Sequence, residues 1–238
     1  MPIFELVKDN VFPDPELAEN NGIIAIGGDL KPGRLLQAYR MGIFPWFNEN
    51  DPIVWWSPDP RMVLHPSELR VSHSLRKILK ERLFEVTYDN DFEAVIENCK
   101  AQKRPGQKGT WITKEIKEAY IRLHRLGYAH SVEVYKDGII VGGLYGLSLG
   151  SMFSGESMFS KVSNASKTGF IILVKKLHSI GFTMIDCQIY TRHLASLGAK
   201  EISRKKYLRE LDSCLEKNTF KGNWGTMSMF QKESFANN

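Results

Sequence analysis

The sequence predicts an α+β protein in two parts: a small, proline-rich N-terminal α/β module over residues 1–65, then a larger domain over residues 66–238. The larger domain is expected to hold a mixed β-sheet with helices on both faces. Three observations predict this. Eight of the ten prolines (Pro2, Pro13, Pro15, Pro32, Pro45, Pro52, Pro58 and Pro60) lie in the first quarter of the chain, where fixed φ and a missing N–H exclude long helices. From residue 66 onward, segments of period 2 and period 3.6 alternate between caps and turns. Three consecutive strands that can meander antiparallel are followed by one helical crossover to a further strand, which makes the sheet mixed.

In the first part, Pro32-Gly33 opens a short helix with Leu35, Leu36 and Tyr39 on one side and Gly42 at its end. Ile53 to Trp56 reads as a short buried strand. In the second part, Ser72 caps a short basic helix running to Arg82, and Phe84 to Tyr88 is a strand. Asp91 opens a helix with Phe92, Val95, Ile96 and Cys99 on one face. Thr113 opens another, carrying Ile116, Ala119, Tyr120 and Leu123 and stopping at Gly127. Ala129–Tyr135, the turn residues Lys136-Asp137-Gly138, and Ile139–Leu149 form a hairpin, and Gly150 turns the chain into Met152–Phe159. Asn164 is the expected cap of a helix bearing Phe170, Ile171, Val174 and Leu177. Phe182–Gln188 is a strand, His193–Leu197 a short helix, and Ser203–Leu215 a last amphipathic helix. This order resembles the acetyltransferase-like (GNAT) fold, an analogy that fixes no function.

Composition narrows the class. At 42% hydrophobic and 25% charged residues the chain is an ordinary globular one, not a disordered one. No apolar run approaches the ~20 residues that span a bilayer, and the N-terminus has no basic-then-apolar signal pattern. Cys99, Cys187 and Cys214 are odd in number and widely spaced, which argues against a disulfide framework and against a cysteine-built zinc site. A cytoplasmic monomer without metal is the expectation. The net charge of +5 is a weak pull toward a polyanion. Its distribution says more: Arg70, Arg76, Lys77, Lys80 and Arg82 form one cluster, Lys100, Lys103, Arg104 and Lys108 a second, and Arg204, Lys205, Lys206 and Arg209 a third. These fit a track along a phosphate backbone as well as three solvated surfaces.

Four segments could carry chemistry. Gly42 to Phe47 and Trp55-Trp56-Ser57-Pro58 hold aromatic rings on proline-stiffened loops, a design that stacks unpaired bases, although a module this short needs most of its aromatics inside. Trp111 stands between a basic loop and a helix start; it either offers a stacking face beside a phosphate-friendly helix end or seals that end against the sheet. Strand alternation puts Glu156 with Ser154 and Met158, and a carboxylate among apolar neighbours needs a partner, either a structural cation or a substrate amine. Asp186 and Gln188 share one face at the C-terminal end of a strand, where open α/β sheets hold ligands, and Cys187 faces the other way as packing. There is no Ser-His-Asp set, metal cluster or Walker loop, and His124, His130, His178 and His193 are scattered as structural residues are. The stretch Phe159 to Thr168, before the crossover helix, holds no glycine. It therefore lacks the turn that wraps a cofactor pyrophosphate, which speaks against coenzyme A as acyl donor; no cofactor is expected.

Taken together, Gly27-Gly28-Asp29-Leu30, Tyr39, Gly42-Ile43-Phe44-Pro45-Trp46-Phe47, Trp55-Trp56-Ser57-Pro58-Asp59-Pro60-Arg61, Gly109-Thr110-Trp111-Ile112-Thr113, Gly155-Glu156-Ser157-Met158-Phe159-Ser160, Asn164-Ala165-Ser166-Lys167-Thr168, Asp186-Cys187-Gln188 and His193-Leu194-Ala195-Ser196-Leu197-Gly198-Ala199 resemble the leucyl/phenylalanyl-tRNA–protein transferase family. The resemblance is colinear from about residue 10 to about residue 230, with one departure: some relatives resemble Asp-His-Thr where this chain reads Arg192-His193-Leu194.

The resemblance implies transfer of Leu or Phe, less well Met, from aminoacyl-tRNA to proteins with N-terminal Arg or Lys, marking them for N-degron proteolysis. It implies a small N-terminal domain joined to a GNAT-like domain. It implies catalytic roles for Asp186, Gln188 and Glu156, the last as partner of the acceptor's cationic N-terminus. It implies a donor pocket of Leu144, Phe153, Met158, Leu173 and Ile185, and a platform for the 3′-adenosine from Trp46 and Trp111 with Tyr39 and Tyr120 nearby. Arg76, Lys77, Lys80 and Arg82 would then lie along the tRNA phosphates. The chemistry suits these residues. An aminoacyl ester is already activated, so positioning and oxyanion stabilisation suffice. The Gln188 carbonyl is expected to accept from the attacking amine, Asp186 to orient that amide, and the leaving ribose oxygen to take a proton. The other reading is an RNA-binding domain of the same fold that has lost transfer; it predicts a damaged Asp186/Gln188 pair, and both residues are present.

Overall fold

The computed structural model describes residues 3–7, 11–102 and 109–231. Lys103, Arg104 and Lys108 of the second basic cluster lie outside the described residues.

The small unit is a four-stranded sheet built from β1 (Phe4–Leu6), β2 (Ile23–Gly27), β3 (Phe44–Pro45) and β4 (Val54–Trp56), in the order β1-β2-β4-β3. Helix α1 (Pro32–Arg40) bridges β2 and β3 and buries Leu35, Ala38 and Tyr39. Gly42 ends it at φ +71°, and a β-carbon there would sit 2.7 Å from the Tyr207 ring, so glycine is required twice over.

The larger sheet has seven strands: β5 (Arg61–Leu64), β6 (Glu85–Tyr88), β7 (Ala129–Lys136), β8 (Ile139–Leu149), β9 (Met152–Ser160), β10 (Met184–Gln188) and β11 (Lys200–Ile202). Their order across the sheet is β11-β5-β10-β9-β8-β7-β6. The expected meander is β7-β8-β9, and β10 joins β9 in parallel, with Met184 opposite Met152, Ile185 opposite Phe153 and Asp186 opposite Ser154. The sheet is mixed, as the sequence predicts. Strand β5 has no counterpart in the sequence reading, which leaves residues 61–64 in the proline-rich module. All four of its residues are buried, and it pairs antiparallel with both β10 and β11. A strand covered on both faces loses the alternation that would have marked it.

Helices α3 (Phe92–Ala101) and α4 (Lys114–Arg125) cover one face together with the small unit, sharing a core with Tyr145 and Leu147 of β8. Helix α5 (Ala165–Ser179) and α2 (His73–Lys80) cover the other, with Leu144, Phe153 and Ile185. Helices α6 (Arg192–Ser196), α7 (Arg204–Leu215) and α8 (Ser228–Gln231) complete the chain. Ser72, Asp91, Thr113 and Ser203 cap their helices as their sequence positions predict, each side chain accepting a backbone N–H three residues on. Asn164 does not. It stands at φ +66° with no side-chain cap, a region Asn tolerates, and α5 starts instead with Ser160 Oγ accepting the Ser166 N–H at 3.3 Å. Among the described residues no helix is long and apolar enough to cross a membrane.

Candidate active site

Strands β9 and β10 stay paired only as far as Ser154 and Asp186. Beyond that point β9 continues along β8, and β10 turns away at Gln188, whose φ is +62°. The strands diverge and leave a wedge. It opens into a cavity of about 470 Å³ lined by both strands, the first two turns of α5, the chain around α6, and Phe44, Pro45 and Trp46 of the small unit.

Two irregularities aim side chains at this wedge. Strand β9 is bulged against β8, since Tyr145 faces Ser157 and the next partners are Gly146 and Gly155, so Glu156 is the extra residue. At the end of β10 the register against β5 also shifts between Asp186 and Gln188. Asp186 Oδ1 accepts the Gln188 backbone N–H at 3.0 Å, which holds the left-handed turn. The Gln188 side chain then donates Nε2 to Glu156 Oε1 at 3.2 Å and lies 3.5 Å from Ser154 Oγ.

Glu156 is half-buried and densely bonded. Its Oε1 accepts from Tyr39 at 2.7 Å and from Ser154 at 3.3 Å, and its Oε2 accepts from Tyr120 at 3.0 Å. The hydroxyls of Tyr39 and Tyr120 also contact each other. Burial pushes the Glu156 carboxyl up to about 7, against the pull of the two phenols and with Asp186 adding to the rise. Burial, and then the neighbouring Glu156 charge, hold both phenols well above the usual tyrosine range.

Asp186 has a different environment. It is fully buried and meets Arg61 in a two-pronged ion pair, Nε to Oδ1 at 2.9 Å and a terminal nitrogen to Oδ2 at 2.7 Å. Tyr207 of α7 donates to Oδ2 at 3.0 Å. Arg61 is buried too, donates to the Gly42 carbonyl at 3.0 Å, and has its guanidinium carbon 4.8 Å from the Phe44 ring centroid and 4.4 Å from that of Tyr207. The expectation that Asp186 orients the Gln188 amide is therefore corrected: Asp186 holds the Gln188 backbone, and Glu156 and Ser154 meet the amide. Cys187 is buried, and that burial pushes its thiol up, as suits packing.

The structure brings together Glu156, Asp186, Gln188, Leu144, Met158, Ile185, Trp46 and Trp111 in the cavity wall. Trp46 is half-buried and leans on Trp56, with ring centroids 5.5 Å apart. Four of the expected pocket and platform residues are not in the wall. Phe153 and Leu173 are fully buried core residues; Phe153 lies on the same face as Leu144 but deeper, 5.9 Å from the Trp224 ring. The apolar residue of α5 that does line the cavity is Phe170, one turn before Leu173, with Ser166 a turn earlier. Tyr39 and Tyr120 are fully buried beneath Glu156, with no ring face left for a base. Arg76, Lys77, Lys80 and Arg82 are exposed on α2 and the turn after it, and none lines the cavity. In the third cluster Arg204 is committed to the Ser57 carbonyl at 2.6 Å.

Sequence reasoning assigned no role to Arg61, Tyr207 or Phe170. A buried strand carboxylate demands a cation, so the lone arginine flanked by Pro60 and the apolar run Met62-Val63-Leu64 was the available signal for Arg61. Among the described residues no group of three or more His, Cys, Asp or Glu is placed to hold a metal ion.

Comparison with known proteins places the chain in a family. The family model described as leucyl/phenylalanyl-tRNA protein transferase matches residues 63–212, and that of the N-terminal domain of the same transferase matches residues 28–59. A leucyl/phenylalanyl-tRNA–protein transferase from Syntrophus aciditrophicus is 54% identical over 226 residues, 95% of each chain. One from Flavobacterium johnsoniae is 55% identical over 211 residues, 89% of this chain and 100% of its own. Among solved structures, a GCN5-related N-acetyltransferase from Kribbella flavida superposes with a TM-score of 0.39 at 10% identity, covering 72% of this chain and 61% of that one. The chain belongs to the leucyl/phenylalanyl-tRNA–protein transferase family and is a transferase.

Proposed function

We propose that this chain moves Leu or Phe, and less well Met, from aminoacyl-tRNA to the α-amine of proteins that begin with Arg or Lys, marking them for N-degron proteolysis in the cytoplasm. The observation that carries this reading is one cavity with three kinds of wall. Leu144, Met158, Phe170 and Ile185 give an apolar pocket for the donor side chain. Trp46 and Trp111 give aromatic surface for the terminal adenosine common to every tRNA. Glu156 and Gln188 give polar atoms to the same cavity.

In this reading the aminoacyl ester lies with its side chain in the pocket and its carbonyl near Gln188. The Gln188 Nε2 is taken by Glu156, so its carbonyl oxygen is the end that meets the incoming amine. Glu156 attracts the cationic acceptor. The C–N bond forms as the C–O bond to the ribose breaks, and the leaving 3′-oxygen takes one amine proton. The basic side chains of α2, at Arg76, Lys77 and Lys80 with Arg82 just beyond, follow the phosphates of the acceptor stem. The test is transfer of labelled leucine from Leu-tRNA to a protein with N-terminal Arg, against the same protein with N-terminal Ala. Labelling of the first alone is expected. Failure to label either would overturn the reading.

A further inference from the structure

The ring formed by Glu156, Tyr39 and Tyr120 has three oxygen–oxygen contacts: Tyr39 to Oε1 at 2.7 Å, Tyr120 to Oε2 at 3.0 Å, and Tyr39 to Tyr120. A hydrogen bond needs one proton, and the two phenols supply two. With Glu156 ionised, each phenol donates to the carboxylate and the contact between the phenols has no proton. With Glu156 protonated, all three contacts are filled in one direction around the ring: Oε2–H to Tyr120, Tyr120 to Tyr39, and Tyr39 to Oε1. Oε1 remains an acceptor for Gln188 at 3.2 Å and Ser154 at 3.3 Å. The arrangement has room for one more proton than the phenols bring.

We infer that Glu156 is the proton acceptor of the transfer reaction and that Tyr39 and Tyr120 are positioning residues that hold its carboxyl ready for that proton. The inference rests on the functional reading above and adds the fate of the acceptor's charge. An α-ammonium group carries three protons. One goes to Glu156, which frees the lone pair for attack on the ester carbon. One goes to the leaving 3′-oxygen, and the last stays on the new amide nitrogen. Glu156 then gives its proton to water, so one proton is released per peptide bond.

Asp186 is the other carboxylate in reach, but its oxygens are taken by Arg61 in two bonds and by Tyr207 in a third. The groups facing Glu156 are Tyr39 from α1, Tyr120 from α4 with the Tyr145 ring of β8 against it at 5.6 Å, Ser154 on its own strand, and Asp186 and Gln188 from β10, with Arg61 of β5 behind Asp186. Among these, burial and the Asp186 charge favour the protonated carboxyl, and a value of about 7 leaves it free to titrate under working conditions.

The experiment measures transfer against pH at saturating substrates and, separately, the ionisation of the carboxyl by infrared difference spectroscopy on the full chain. The unaltered enzyme is expected to gain turnover through a step near pH 7, matched by a carboxyl band that titrates there. In Glu156→Gln that band is lost, and turnover falls ~10²–10⁴-fold. Tyr39→Phe and Tyr120→Phe each remove a bond that holds the anion, so both the band and the turnover step move to higher pH. The inference is overturned if Glu156→Gln keeps normal turnover and only the acceptor KM rises, because Glu156 would then be a charge partner and nothing more. It is equally overturned if the band titrates with ordinary carboxylates below pH 5. An unaltered protein that transfers no leucine fails the functional reading itself, whereas an active one with a normal Glu156→Gln rate fails the proton acceptor alone.

Discussion

Arg61 and Asp186 meet across 125 residues of sequence through two parallel hydrogen bonds, at 2.9 and 2.7 Å, with neither side chain in contact with solvent. Removing one partner leaves the other charged and buried. Asp186→Ala and Arg61→Ala are each expected to cost about 3–5 kcal/mol in a denaturant titration. The double replacement Arg61→Met, Asp186→Leu should regain most of that stability and none of the transfer, because the Gln188 turn still lacks its acceptor. A double variant whose loss equals the two single losses added together would show that the pair does not act as a unit.

Pocket shape should be readable as a ratio. Leu144→Ala enlarges the cavity and is expected to shift donor preference toward Phe relative to Leu in a mixed-substrate assay. A pocket separates one methylene by ~1–3 kcal/mol, so leakage to Met is expected throughout. Leu173→Ala is the control: as a core residue it should cost ~2–5 kcal/mol of stability with the Leu/Phe ratio unchanged.

Contacts with the tRNA separate into two kinds. Trp111→Ala removes a stacking surface worth ~1–3 kcal/mol and should raise the KM for aminoacyl-tRNA and for a short 3′-end mimic alike. Charge reversal at Arg76, Lys77 and Lys80 should weaken full-length tRNA with a shallower salt dependence and spare the mimic. Equal damage to both substrates by the α2 variant would misplace the phosphate track.

Stability should also depend on pH through Glu156. Its carboxyl is raised to about 7 in the folded chain, so the folded state binds the proton more tightly than the unfolded one. The stability this contributes is complete below the ordinary carboxylate range and is lost as pH rises through about 7. Glu156→Gln removes the loss. Relative to the unaltered chain, the variant should gain on the order of 2 kcal/mol between pH 5 and pH 8, measured by urea melts at each pH.

Legibility followed locality. Caps at Ser72, Asp91, Thr113 and Ser203 were readable because a cap is decided within four residues. The hairpin at Lys136-Asp137-Gly138 and the crossover helix were readable for the same reason. Strand β5 was not, because burial on both faces erased its period. In the site, Glu156 and Gln188 were found by strand alternation, although bulges set where their side chains point. Phe170 was missed in favour of Leu173 because both lie on the apolar face of α5, and only the sheet's divergence decides which turn meets the cavity. Tyr39 and Tyr120 were expected beside the stacking platform, and both lie buried with their hydroxyls on Glu156. Sequence marks an aromatic residue, while depth decides whether its face or its hydroxyl is used.

The reach of Arg61 also has a consequence for the chain as it leaves the ribosome. Its guanidinium joins the Gly42 carbonyl near the N-terminus, Asp186 late in the chain and, at 3.3 Å, the Tyr207 hydroxyl later still. The proline-rich module comes first in the sequence, yet the cavity that its Phe44–Trp46 edge lines is completed only by residues 185–194. A chain interrupted before that point lacks the Asp186 partner of Arg61. The pocket is thus finished only when β10, late in the chain, pairs with β5 and β9 and brings Asp186 to Arg61.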